Sequence, residues 1–239
     1  MQKGASPIRI FAIADTHLSF GVDKPMSVFG EQWDGYEQRM AMMWRDMITP
    51  DDVVLIAGDI SWAMREQEVI PDMAYLASLP GQKVLLKGNH DYWWSTKKKV
   101  KQLAGDNTYV LQADAVLLPQ CTIVGTRGWE LPATNKETTF DDEKIYHREI
   151  ERLRLSLEAG VKQKQPMIAM MHYPPLATKE DATPFTDLLE QYQVQHCVYG
   201  HLHGHAHRFR VEGDVRGVQY HLVAADFLDF RPIELTVVH

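Results

Sequence analysis

Five times in this chain a short apolar run ends on residues that can hold a metal ion. Asp15-Thr16-His17 follows IRIFAIA, Gly58-Asp59 follows DDVVLIA, and Gly88-Asn89-His90-Asp91 follows KVLLK. His172 follows PMIAMM, and Gly200-His201-Leu202-His203 follows HCVY. Short runs that are apolar throughout, bounded by turn formers, read as strands covered on both faces. Where such strands lie parallel in an open sheet, ligands bind beyond their carboxyl ends. The repeated pattern therefore asks for parallel α/β architecture with one shared site.

The expected strands are Ile8–Ala14, Val53–Ala57, Lys83–Lys87, Thr122–Gly125, Met167–Met171 and His196–Tyr199. Amphipathic stretches between them predict helices over Gln32–Ile48, Arg65–Ser78, Trp94–Leu103, Asp141–Ala159 and Pro184–Tyr192. Gly160 stands where the fourth helix should end. Near the C-terminus His207–Val211, Val218–Val223 and Ile233–Val238 read as hairpin-like strands between Gly-containing turns. This order predicts a layered α/β sandwich with helices outside, as a single domain over residues 1–239.

A formal charge of −7 argues against a nucleic-acid partner, which needs a basic face, but leaves a small phosphorylated substrate open. No apolar run is long enough for a membrane span, and no leader pattern is visible. Cys121 and Cys197 each sit in an apolar run and read as buried free thiols, so the expected compartment is the cytoplasm. The run Lys97, Lys98, Lys99 and Lys101 reads as a solvated helix face.

Taken singly, the five clusters are ambiguous. Asp15 and His17 can face one point, because residues two apart on extended chain point the same way. A strand-end cap followed by a surface histidine gives the same string. Asp59 can be a turn residue or can offer both oxygens to two ions. Asn89 can sit in a turn or give a carbonyl oxygen, and His90 can be a general acid rather than a ligand. His172 alone reads as a structural histidine, whereas the H-x-H of His201 and His203 is a moderately specific metal signal. Together, a ligand type at the end of each strand favours one shared metal site over five coincidences.

The ordered set D-x-H, G-D, G-N-H-[DE], H, G-H-x-H, from Asp15 to His203, resembles the calcineurin-like metallophosphoesterase superfamily. The strings GDISWAM, KGNHDYWW and GTRGW resemble small bacterial stand-alone phosphohydrolases in particular. The resemblance implies a four-layer α/β/β/α sandwich holding two divalent metal ions. Asp15, His17 and His203 would hold one ion, Asn89, His172 and His201 the other, and Asp59 would bridge them. His90 would be catalytic, near the leaving-group oxygen. Hydroxide held between the ions would attack phosphorus directly, with no covalent phospho-enzyme. Nitrogen and oxygen ligands without thiolate suit Mn or Fe, the superfamily's preference, with Zn as a further candidate.

The chain also departs from a relative of this pattern. Trp62 and Ala63 stand where the phosphoprotein-phosphatase branch has an Asp that orients the catalytic histidine and an Arg that grips phosphate. This argues against a protein phosphatase and leaves the partner of His90 unidentified. Arg127 is a candidate for substrate phosphate, or equally a loop arginine in a turn. Trp62, Tyr92, Trp93, Trp94 and Trp129 lie beside motifs and suit either a stacked leaving group or the core. The Gly21–Gly35 segment, with Trp33, reads as a lid or substrate loop.

The expected function is hydrolysis of a phosphomonoester or phosphodiester, with a preference for a diester or nucleotide-type substrate. The alternatives are a non-catalytic scaffold of the same fold, which would have lost ligands, and a nuclease of the same superfamily. An amidohydrolase barrel fits less well, since its H-x-H motif comes first and here it comes last.

Overall fold

The computed structural model describes residues 8–132 and 139–238. The strands are β1 (Ile10–Ile13), β2 (Val53–Ala57), β3 (Gln82–Leu86), β4 (Thr108–Val110), β5 (Val116–Leu117) and β6 (Thr122–Thr126). They continue with β7 (Met167–Met171), β8 (His196–Tyr199), β9 (Gly213–Val215), β10 (Val218–Leu222) and β11 (Ile233–Leu235). The helices are α1 (Tyr36–Met47), α2 (Ile70–Ser78), α3 (Lys97–Ala104), α4 (Phe140–Val161) and α5 (Pro184–Gln191).

The strands form two sheets, ordered β11-β1-β2-β3-β4 and β5-β6-β7-β8-β10-β9. β1 to β4 run parallel, as do β6, β7, β8 and β10, and antiparallel strands close the edges at β11, β5 and β9.

Side-chain alternation builds the four layers. Phe11 and Ile13, Val54 and Ile56, and Leu85 point to one core, shared with Met40 and Trp44 of α1, Met73 of α2 and Val100 of α3. Their neighbours Ile10, Ala12, Val53, Leu55 and Val84 point the other way, onto Ile123, Ile168, Met170 and Val198 of the second sheet. On the far side Val124, Ala169, Met171 and Cys197 meet Leu153 and Leu157 of α4 and Leu188 of α5. A strand with both faces in apolar contact has no polar face to alternate, which is why these runs look uniformly hydrophobic. Cys121 and Cys197 are buried free thiols, as expected.

Three expectations fail for local reasons. Helix α2 starts at Ile70 rather than Arg65, because Pro71 lacks the N–H that would continue a helix from upstream and is tolerated only in a first turn. Gly160 lies inside α4, where a Cβ would stand 2.5 Å from Val124 Cγ1; it permits close helix–sheet packing instead of ending the helix. The segment expected as a strand over His207–Val211 is a 3-10 turn over Gly204–Phe209. The Gly204 N–H donates to Asp226 Oδ2 at 3.0 Å, and Ala206 N–H bonds back to His203 O at 2.8 Å, which curls the chain. The C-terminal strands also part company: β9 and β10 join the second sheet and β11 the first.

Candidate metal centre

The C-terminal ends of β1, β2, β3, β7 and β8 meet at one point, so the five sequence clusters become one cluster in space. Backbone hydrogen bonds knit the loops: Asp15 N to Gly58 O at 2.9 Å, His17 N to Asp59 O at 3.0 Å and Gly200 N to His172 O at 3.1 Å. The loops approach closely because two of their residues have no side chain. A Cβ on Gly88 would lie 2.1 Å from Asp59 Oδ1, and one on Gly200 would lie 2.2 Å from Asp15 Oδ2. Asp15, His17, Asp59 and His201 all adopt left-handed backbone, with φ of 57°, 43°, 49° and 72°. Each such residue costs on the order of 1 kcal/mol or more and persists only where its surroundings enforce it. Here the enforcement turns four ligand-type side chains towards one another.

The donor atoms fall into two groups. In the first, His17 Nε2 lies 3.2 Å from His203 Nε2, and His203 Nε2 lies 3.3 Å from Asp15 Oδ1. In the second, Asn89 Oδ1 lies 2.6 Å from His172 Nε2 and 3.0 Å from His201 Nδ1. Asp59 Oδ2 stands between them, 3.4 Å from His172 Nε2 and 3.9 Å from His17 Nε2. The far nitrogens of two rings are already committed. His172 Nδ1 donates to the Ala57 carbonyl at 3.1 Å, and His203 Nδ1 to Asp226 Oδ1 at 2.9 Å. That choice of tautomer leaves each Nε2 lone pair facing the cluster, as a metal ligand requires.

Electrostatics points the same way. Burial drives the pKa of His17 and of His201 down to about 3, so both rings are neutral and available as ligands. Burial also opposes a charge on His172 and His203, yet the carboxylates overcome it. Asp59 raises His172 to about 9, and Asp15 with Asp226 raises His203 to about 10. Burial likewise opposes ionisation of Asp59, but His172 and His17 hold it below the carboxylate range. The cluster is thus built around carboxylates that call for positive charge. Groups of three ligand atoms within reach of a single ion occur at Asp15, His17 and His203, and at Asp15, Asp59 and His172. Mixed nitrogen and oxygen donors and the neutral rings of His17 and His201 fit divalent metal ions, and on His172 and His203 a bound ion would take the place of the proton.

His90 stands beside the cluster rather than in it. Its N–H donates to Asp59 Oδ1 at 2.8 Å, which pins the backbone. Its ring packs on Trp62 with centroids 4.5 Å apart, and its buried Nδ1 has no hydrogen-bond partner among the described residues. Among the described residues the His90 ring thus meets an aromatic ring and no carboxylate hydrogen bond. Asp91, next along, is structural: it accepts from Gly88 N at 2.8 Å, Ile60 N at 2.9 Å and Trp93 Nε1 at 3.1 Å, locking two ligand loops together.

Arg127 does not join the cluster; it lines a separate cavity. Trp93 and Trp94 are core, Tyr92 is exposed, and Trp62 lines a cavity beside the metal cluster. That cavity encloses about 290 Å³ between His17, His90 and His203, with Met26, Phe29 and Trp33 as further walls. Those last three residues come from two 3-10 turns, Met26–Phe29 and Glu31–Trp33, within the segment expected as a substrate loop. Asp226 was not found from the sequence. Its signal was available: it ends the apolar run Val223-Ala224-Ala225 that continues from β10, much as Asp15 and Asp59 end theirs. His207 Nε2, 3.2 Å from Asp226 Oδ2, lies behind it.

The family model described as calcineurin-like phosphoesterase matches residues 8–205. Among solved structures, phosphopantetheinyl hydrolase (PptH) from Mycobacterium tuberculosis superposes with a TM-score of 0.60 at 16% identity, covering 95% of each chain. The protein TT1561 of Thermus thermophilus gives 0.57 at 10% identity, covering 98% of this chain and 100% of that one. A candidate 5'-nucleotidase from Staphylococcus aureus gives 0.52 at 15% identity, covering 91% of this chain and 48% of that one. At such identities the likeness concerns the fold alone. No match was found among curated proteins. No helix among the described residues is long and apolar enough to cross a membrane.

Proposed function

The chain belongs to the calcineurin-like phosphoesterases, a family of metal-dependent phosphoric ester hydrolases, and we propose that it hydrolyses a small phosphodiester or nucleotide-type phosphoester at a centre of two divalent ions. The observation that carries this reading is the convergence of seven donor side chains from five strand ends, with His172 and His203 locked in the tautomer that presents Nε2. Asp15, His17 and His203 would hold one ion and Asn89, His172 and His201 the other, with Asp59 reaching both. Mn or Fe suits this donor set best, with Zn next. Bound there, the ions would activate water and neutralise phosphoryl oxygens.

The protein's own groups do the rest. His90 lies outside both donor groups, where it can give a proton to the leaving-group oxygen or stabilise charge on it. Trp62 holds that ring in place and also walls the neighbouring cavity. The Phe29 and Trp62 rings lie 6.5 Å apart and within 10° of parallel, and Lys24 Nζ stands 3.2 Å over Trp62. An apolar or ring-bearing leaving group suits such walls, which favours a diester or nucleotide over a bare monoester. The two unpaired buried thiols suit a reducing cytoplasm.

The test is a matrix of metal and substrate. Protein stripped of metal and reloaded with Mn, Fe, Zn or Mg is assayed against paired mono- and bis-nitrophenyl phosphates and a nucleotide panel. Turnover should be greatest with Mn or Fe and with the diester. Silence across the whole matrix would instead assign the fold a non-catalytic binding role.

A further inference from the structure

A second cavity lies beside the metal cluster, and the proposed chemistry leaves it unused. It encloses about 220 Å³ between the ends of β3 and β6 and the middle of α4. A water occupies about 30 Å³ of liquid, so a tetrahedral anion fits. The walls carry Lys87, Arg127, Arg148 and Arg152 against a single carboxylate, Glu149. In a chain of formal charge −7, this cationic concentration runs against the overall sign.

The lone carboxylate does not neutralise it. Glu149 is buried and already engaged by Arg152 Nη1 at 2.7 Å and Thr126 Oγ1 at 2.6 Å. Arg127 Nη2 stays 4.0 Å from it, beyond hydrogen-bond reach, and Arg148 approaches only to 3.5 Å. Arg127 Nε is buried with no hydrogen-bond partner, and Lys87 makes no hydrogen bond or ion pair among the described residues. Buried donors are almost always paired, so an orphaned guanidinium nitrogen beside a lysine marks a place for an acceptor. Arginine and lysine together are the donors that recognise phosphate.

Two of its lining residues adjoin the loops of the metal cluster. Lys87 is two residues before Asn89, and the Arg127 carbonyl accepts from His172 N at 3.1 Å and Tyr173 N at 2.9 Å. We infer that this cavity is an anion subsite that takes a second phosphate of the substrate, distinct from the one hydrolysed at the cluster. The inference rests on the phosphoesterase reading above for the position of the hydrolysed group. It narrows the substrate class to molecules carrying two phosphate groups.

The experiment compares probes that differ by one phosphoryl group. Methylphosphonate and a series of alkylene bisphosphonates with spacers of increasing length are tested as inhibitors of the metal-loaded enzyme turning over bis(4-nitrophenyl) phosphate. At the best spacer the bisphosphonate should bind about tenfold more tightly than methylphosphonate or better. Lys87→Met should shrink that ratio by about tenfold, and Arg148→Gln, on the rim, by roughly threefold. A ratio unaltered by both variants at every spacer overturns the proposal. So does an equal weakening of both probes, which would put Lys87 at the hydrolysed phosphate. Inorganic phosphate serves as the third probe. A thermal stabilisation by phosphate that needs Lys87, with the inhibitor ratio untouched, would assign the cavity to a free effector and sink the substrate role. Should the reporter fail to turn over, the catalytic reading falls on its own. The same ratio is then read from thermal shifts of the metal-loaded protein, with the same outcomes.

Discussion

Strand β2 carries a buried aspartate at each end, and the two live in opposite circumstances. Asp52, before its first residue, is saturated. It accepts from Arg9 Nη2 at 2.6 Å, Arg9 N at 3.1 Å, and Thr49 N and Oγ1 at 2.8 Å each. Asp59, beyond its last residue, accepts one backbone N–H and otherwise faces imidazoles, in a left-handed conformation. Both side chains are removed from water, so the difference lies in what compensates the charge. At the amino end a permanent cation and a turn do so, and the group serves the fold. At the carboxyl end neighbouring imidazoles do so, and the group faces the proposed metal site.

The largest effect that can break this contrast is at Asp59. Asp59→Asn removes the carboxylate that reaches both donor groups, so turnover should fall on the order of a thousandfold. Elemental analysis should find both metals depleted. The metal-free variant should also lose stability at neutral pH, because His172 and His17 hold the folded-state pKa of Asp59 down, which means the fold favours its charge. A variant that keeps two tightly held metals would remove Asp59 from its bridging role. Next in size is His90→Ala, which should lower turnover by roughly a hundredfold or more with both metals retained. Loss of metal from that variant would move His90 into the ligand shell.

How much of this contrast the sequence carried depends on the kind of information each feature needs. Strand ends were legible because burial on both faces leaves a local mark, an apolar run cut short by Asp or Gly. The proposed ligands stand out because each sits within four residues of such an end. Their partners do not. Asp226 reaches His203 from β10, and Trp62 reaches His90 from the loop after β2. Such pairings are set by which strands lie side by side in a sheet, β2 with β3 and β8 with β10, and not by spacing along the chain. The 3-10 turn at Gly204–Phe209 overlaps the strand expected at His207–Val211 for the same reason: a carboxylate 22 residues further on, Asp226, curls the chain there. The cationic cavity was only half visible, as Arg127 alone, since Lys87, Arg148 and Arg152 come from separate elements.

Asp226 lies between the two cases, since it serves the site without being one of its proposed ligands. It fixes the His203 tautomer and caps Gly204 N at 3.0 Å. Asp226→Asn should therefore weaken the metal proposed for Asp15, His17 and His203 by about 10- to 100-fold and leave the other proposed ion nearly as it was. Competition titration with a chelator, reading the two sites separately, checks this. Equal weakening of both would mean that Asp226 acts through the fold rather than through His203.

The smallest effect on catalysis, and the one that tests the other side of the contrast, is at Asp52. Burial opposes its ionisation, but the bond from Arg9 and those from Thr49 hold its pKa below the usual carboxylate value. A depressed folded-state pKa means that the unfolded chain binds the proton more readily as pH falls. The stability that Asp52 contributes is then fully present above its ordinary pKa of 3.8 and lost as pH falls below it, through the folded-state value. Asp52→Asn should lower Tm by roughly 4 °C at neutral pH. The gap between variant and parent should close as pH falls below 4, where the parent carboxylate is itself protonated. Turnover and metal content should match the parent, because nothing at this end of β2 touches the cluster. A Tm gap that stays constant into acid would show that shape and hydrogen bonding, not the charge, make Asp52 matter, and the two aspartates would then differ in kind rather than in how their charges are met.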